Sequence, residues 1–145
     1  MESADNRTAR RFMLLGALLV MAGLLTGFVS GSLANPRMGL SAHLEGLMNG
    51  IMLLALGAGW RFVHLGARAE RWAFGLLAFG TTANWATVLL GAIWGAGRQT
   101  MPIVAGDHVG APWQESLITV LLIVLSLAMV AGFALVIKGL MAKAD

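Results

Sequence analysis

The chain has 145 residues, of which 58% are hydrophobic and only 12% charged, and its mean hydropathy is +0.78. A water-soluble domain needs more charge than this to cover its surface, so composition places the protein in a membrane. The formal charge of +3 comes from basic residues at the ends of apolar runs, where phospholipid headgroups account for them, and nucleic acid is not implied.

Cysteine is absent, which removes disulfides and thiolate ligands and leaves His, Asn and carboxylates as metal donors. At about 20 residues per span, the length predicts four spans, short connections and no separate soluble domain, so 1–145 reads as one domain. Met1 to Arg11 reads as a short polar arm carrying Arg7, Arg10 and Arg11, followed by a helix over about 12–33. That run exceeds the roughly 7 to 15 residues of a signal-peptide core, and it is read as a span. Within it Gly16, Gly23, Gly27 and Gly31 recur at helical intervals, a pattern that helix packing alone explains. Asn35, Pro36 and Arg37 read as a turn, since proline does not continue a helix, and a second helix is expected over about 39–62. Arg61 to Arg71, with His64, Arg68 and Glu70 between Trp60 and Trp72, reads as a charged connection flanked by interfacial anchors. A third helix is expected over about 72–96, then the longest loop, Gly97 to Pro112, with Arg98, Asp107 and His108. The last helix covers about 113–137, and Lys138 and Lys143 follow it.

Arg7, Arg10, Arg11, Arg61, Arg68, Arg71, Lys138 and Lys143 fall on one side of such a bundle, against Arg37 and Arg98 on the other. The positive-inside bias then puts both termini in the cytoplasm, with the protein in the inner (plasma) membrane. The expected architecture is an all-α, integral membrane four-helix bundle, up-down-up-down.

Leu40 to Gly57 is the informative stretch, because His43, Glu45 and Asn49 interrupt an otherwise ordinary span. Each polar group in hydrocarbon costs roughly 1 to 3 kcal/mol or more without a partner. Counted from the outer surface, His43 lies about 6 Å deep, Glu45 about 9 Å and Asn49 about 15 Å. Asn84 on the third helix also falls at about 15 Å, so the two asparagines share a level. Thr81 and Thr82 lie one turn deeper, and Gln114, Glu115 and Ser116 open the last helix. His43, Gly46 and Asn49 form one helical row with Gly50 beneath His43, and glycines beside the histidine leave room for a flat ligand. Gly80, Asn84, Thr87 and Gly91 make a second small-and-polar stripe, and two such stripes face to face would form a pocket.

Structural readings stand beside these. An intramembrane histidine can simply bond a neighbouring helix, and spacing alone favours that for His43. Asn49 and Asn84 can be interhelical glue worth about 0.6 to 2 kcal/mol, Glu45 can snorkel to the interface, and Glu115 can belong to the first turn of its helix. Trp85 is a core filler or a pocket wall, with core the safer assignment. A bis-histidine haem is poorly served, since His64 follows His43 by 21 residues, about 32 Å along one helix, and His108, the one conceivable second ligand, sits in an outer loop and is a poor one. A metal or haem on His43 alone would keep an open coordination position, which suits substrate activation rather than electron transfer.

The pattern AHLEGLMNG, together with NWATVLLGAIWGAG, PIVAG and the WQE of Trp113 to Glu115, resembles the small four-helix membrane isomerases that include hydroxylaminobenzene mutase. Styrene oxide isomerase looks like a more distant relative. The likeness runs from Leu40 to about Leu140. It implies that His43 is the axial ligand of a haem b whose iron acts as a Lewis acid, with Gly46 and Gly50 beside it, and that Asn49 and Asn84 position substrate. The tyrosine that follows the third-helix asparagine in the epoxide isomerase falls near Val88, and this chain has no tyrosine, which favours a mutase.

The expected activity is the rearrangement of a small aromatic hydroxylamine to an aminophenol, with Glu45 or Glu115 moving a proton. The alternatives are an epoxide isomerase, a small proton-coupled transporter using Glu45, and a scaffold without chemistry. A homo-oligomer, with a trimer as first guess, is expected because four helices bury little around a pocket wide enough for haem.

Overall fold

The computed structural model describes residues 4–142, with side chains from residue 7; Lys143 lies outside them. Its four long helices are α1 (Ala4–Val29), α2 (Pro36–Gly59), α3 (Ala67–Trp94) and α5 (Pro112–Met141), and the four-residue helix α4 (Pro102–Ala105) lies in the loop between α3 and α5. All four long helices are apolar and long enough to cross a membrane.

Each long helix starts earlier than expected. The supposed polar arm is helical from Ala4, because nothing in that segment breaks a helix and arginine and alanine favour one. Pro36 begins α2 instead of making a turn. It occupies the first helical turn, where its missing N–H costs nothing, and Asn35 caps the helix by accepting the Met38 N–H at 3.1 Å. Arg68, Glu70 and Arg71 belong to the first turns of α3, so the charged connection shrinks to a few residues. At the other end of α3, Gly95 adopts φ 63° as a left-handed cap.

Helix α1 packs along α2, α2 on α3, and α3 on α5. The α1–α2 contacts occur in reverse order of sequence: Gly27 meets His43, Gly23 meets Gly46, Gly16 meets Gly50 and Ala9 meets Gly57. The tightest backbone contact is at Gly46, where a Cβ would lie 2.5 Å from Gly23 Cα. Without a hydrophobic driving force between helices in lipid, such backbone-to-backbone contact is what holds them together.

Two apolar clusters lie along this frame. Phe12, Leu53, Trp60, Ala73, Leu77 and Val136 form one, with the Phe12 ring tilted against Trp60 and edge-on to Phe74 at centroid distances of 4.8 and 5.0 Å. Met38, Ala42, Val88, Ala92 and Ala105 form the other. Between the two, along both α2 and α3, lies the polar level.

Asn35 ties the second cluster shut. Its N–H donates to Ala92 O at 3.0 Å, and its Nδ2 donates to Val104 O and Ala105 O at 3.3 and 3.1 Å. At the opposite end the His64 N–H donates to Gly139 O at 3.0 Å, joining the α2–α3 connection to the end of α5.

Candidate functional site

Asn49 and Asn84 do occupy one level on adjoining helices, but they meet through a third residue. Asn49 Nδ2 donates to Glu45 Oε2 at 3.2 Å, and Asn84 Nδ2 donates to the same oxygen at 2.5 Å. Glu45 therefore turns toward α3 rather than snorkelling. Both amides present nitrogen to Glu45 Oε2 and direct their carbonyl oxygens elsewhere. Neither Oδ1 accepts a hydrogen bond among the described residues. The cluster thus offers two oriented acceptors beside one carboxylate.

His43 points the other way, toward α1. Its Nδ1 lies 2.8 Å from Gly23 O. A carbonyl oxygen cannot donate, so Nδ1 carries a proton, and Nε2 is the ring nitrogen left to serve as a ligand. Gly27 supplies the space: a Cβ there would stand 2.7 Å from Nδ1. The same segment of α1 is braced by Thr26, whose hydroxyl donates to Ala22 O at 2.8 Å and accepts the Trp85 indole N–H at 3.1 Å. Trp85 packs against the first apolar cluster, as expected of a core residue, and also braces α3 to α1; a Cβ at Gly46 would lie 3.1 Å from its Cδ1.

Three expectations are corrected. Gly46 and Gly50 leave no room for a flat ligand, because α1 fills it: a Cβ at Gly50 would lie 2.7 Å from Gly16 O and 2.6 Å from Val20 Cγ2. The α3 stripe is filled too, with Gly80 against Met129 of α5 and Gly91 against Met38 of α2. Glu115 is committed to the outer loop. Its Oε1 accepts the N–H groups of Gly97 and Gly110 at 2.9 and 3.0 Å, and its Oε2 that of Gln99 at 3.3 Å, so it holds the α3–α5 loop and faces no other polar group of the site. Thr81 bonds back to Leu77 O, one turn earlier in its own helix.

The roles of Gly23, Thr26 and Gly27 were not legible as more than packing. The available signal was that Gly23 and Gly27 lie near the same end of the bundle as His43. His64 and His108 are exposed, and His108 Nδ1 lies 3.1 Å from Ala105 O. Among the described residues no three of His, Cys, Asp and Glu converge as a metal site.

Hydroxylaminobenzene mutase HabB of Ectopseudomonas oleovorans is 51% identical over 138 residues, covering 95% of this chain and 84% of the relative. Hydroxylaminobenzene mutase HabA of the same organism is 40% identical over 126 residues, covering 87% of this chain and 93% of the relative. No solved structure matches. The family model described as styrene oxide isomerase matches residues 8–141. With relatives this similar named as mutases and nearly the whole chain covered, the protein is an isomerase and belongs to the styrene oxide isomerase family.

Proposed function

We propose that the protein rearranges aryl hydroxylamines to aminophenols. The N–O bond breaks, a ring carbon gains the oxygen, and the proton lost from that carbon is balanced by one gained at nitrogen, with no net redox change. The observation that carries this reading is the 51% identity to a hydroxylaminobenzene mutase across 95% of the chain. Val88 favours it over epoxide isomerisation, since that position is buried in the apolar cluster with Met38 and Ala92 and carries no phenol.

We propose that His43 holds a haem b. Among the described residues a bare ion would find too few ligands, whereas a haem iron brings four nitrogens of its own and needs one imidazole. The Nδ1–H bond to Gly23 O supports this, because a second hydrogen bond of this kind fixes the tautomer and raises the basicity of Nε2. When bound, such a group supplies a Lewis acid for the hydroxylamine oxygen. Asn49 and Asn84, aimed by Glu45, accept from the N–H or O–H of the substrate and hold the reacting atoms in register. Glu45, which aims both amides, takes up and returns the proton; since it lies about 200° from His43 around α2, it meets a head group at a His43 haem across a contact between copies of the chain. The aryl ring enters from lipid along apolar helix faces.

His43 and Glu45 sit about 200° apart around α2, and the exposed strip of Leu44 and Met48 lies between them. Both are half-buried at its edges. A homo-oligomer, with a trimer the first guess, would cover this strip and close the site against lipid. The reverse-order α1–α2 contacts and the His64–Gly139 bond support an up-down-up-down bundle, and the basic residues near both termini support a cytoplasmic location for them in the plasma membrane.

The test is incubation of the purified protein with phenylhydroxylamine, with aminophenol measured as product and the absorption spectrum recorded on the same sample. Aminophenol formation with a Soret band supports both parts of the proposal. Turnover by a colourless protein would remove the haem, and no turnover of any aryl hydroxylamine by a haem-loaded protein would remove the substrate class.

A further inference from the structure

At the end of the bundle opposite the candidate site, three hollows adjoin one another. The first, of about 360 Å³, lies between Arg7 and Arg11 of α1 and Arg71 of α3, with Glu70 also in its wall. The second, of about 440 Å³, is bounded by Arg68, Arg71 and Trp72. The third, of about 420 Å³, leads from Arg68 past Trp72 to Leu76 and to Leu135 of α5. Arg71 is common to the first two, and Arg68 and Trp72 to the last two, so the three form one continuous surface. Glu70 is turned inward: it is buried and accepts the Trp60 indole N–H at 3.3 Å.

We infer that this surface binds an anionic phospholipid. The order along it, guanidinium groups, then an indole, then aliphatic side chains, is the order of phosphate, glycerol ester and acyl chain in a lipid at the membrane interface. Guanidinium forks match phosphate oxygens two at a time. Trp72 is 59% exposed and stands where an indole favours the headgroup boundary. The third hollow is almost wholly apolar and opens on the α3–α5 seam, so a chain lying in it continues into hydrocarbon. Free phosphate shares the headgroup chemistry but leaves that third hollow unused. The bound lipid bridges the first turns of α1 and α3 to the last turns of α5.

The experiment is native mass spectrometry of the full chain in mild detergent, titrated separately with phosphatidylglycerol, phosphatidylcholine and inorganic phosphate. An arginine beside an anionic headgroup is worth about fivefold in occupancy, so phosphatidylglycerol is expected to be retained at least tenfold better than phosphatidylcholine. Arg68→Gln and Arg71→Gln should each remove most of that preference, while Arg61→Gln, at the same end but outside the hollows, should keep it. Equal retention of the two lipids by the wild type would overturn the inference without any variant. Unchanged preference in both arginine variants would also overturn it, as would displacement of phosphatidylglycerol by millimolar phosphate, which would reduce the site to an anion site.

Discussion

Asn84 of α3 donates to Glu45 Oε2 of α2, and this is the oxygen that Asn49 also reaches from one turn further along α2. One carboxylate therefore orients two amides from two helices. Removing any member changes the direction of the others, so the three should behave as a unit rather than as independent residues.

Asn49→Ala and Asn84→Ala are each expected to lower stability by about 0.6 to 2 kcal/mol, the range of an interhelical hydrogen bond in a membrane. Turnover of phenylhydroxylamine per folded molecule should fall by about 10²- to 10³-fold. The double variant should lose less than the product of the two single losses. Near-wild-type turnover in both single variants, normalised by melting curves, would leave the pair as glue between helices.

Gly27→Ala would set a Cβ 2.7 Å from His43 Nδ1, forcing the ring away from Gly23 O. With the haem proposed on His43, the expected result is a weaker Soret band and about 10- to 100-fold weaker haem affinity, read by transfer to a scavenging apoprotein. His43→Ala should abolish the band while the protein still inserts. An unaltered spectrum in Gly27→Ala would separate the Gly23 bond from haem binding.

Gly46→Ala tests the α1–α2 contact, because its Cβ would meet Gly23 Cα at 2.5 Å and backbone cannot rotate away. Overpacking of this kind costs about 1 to 3 kcal/mol, and thermal melting in detergent should show it. An unchanged Tm would mean that the two helices approach less closely than Gly23 and Gly46 indicate.

Glu115→Gln replaces one accepting oxygen with a donor, facing at least one of the Gly97, Gln99 and Gly110 N–H groups with another N–H. A loss of about 1 to 3 kcal/mol is expected, with turnover per folded molecule unchanged. Glu45→Gln should do the reverse, losing activity with little change in melting. A large loss of turnover at unchanged Tm in Glu115→Gln would return that residue to the chemistry.

Composition and the period of the helix determined much of this protein. They assign it to the membrane, count its four spans, single out His43, Glu45, Asn49 and Asn84, and bring the two asparagines to one depth, since rise per residue is the same in every helix. They did not determine which face of α2 meets α1 and which meets α3. In lipid, a helix face turned to hydrocarbon and a face turned to another helix are both apolar, so periodicity does not distinguish them as it does in water. Only the tertiary structure decided that Gly46 and Gly50 are closed by α1, that His43 bonds Gly23, and that Glu45 stands between the asparagines. Glu115 is the clearest instance. Its three partners lie in a loop whose path no local pattern specifies, and the carboxylate acquires its role only when that loop folds back over the start of α5.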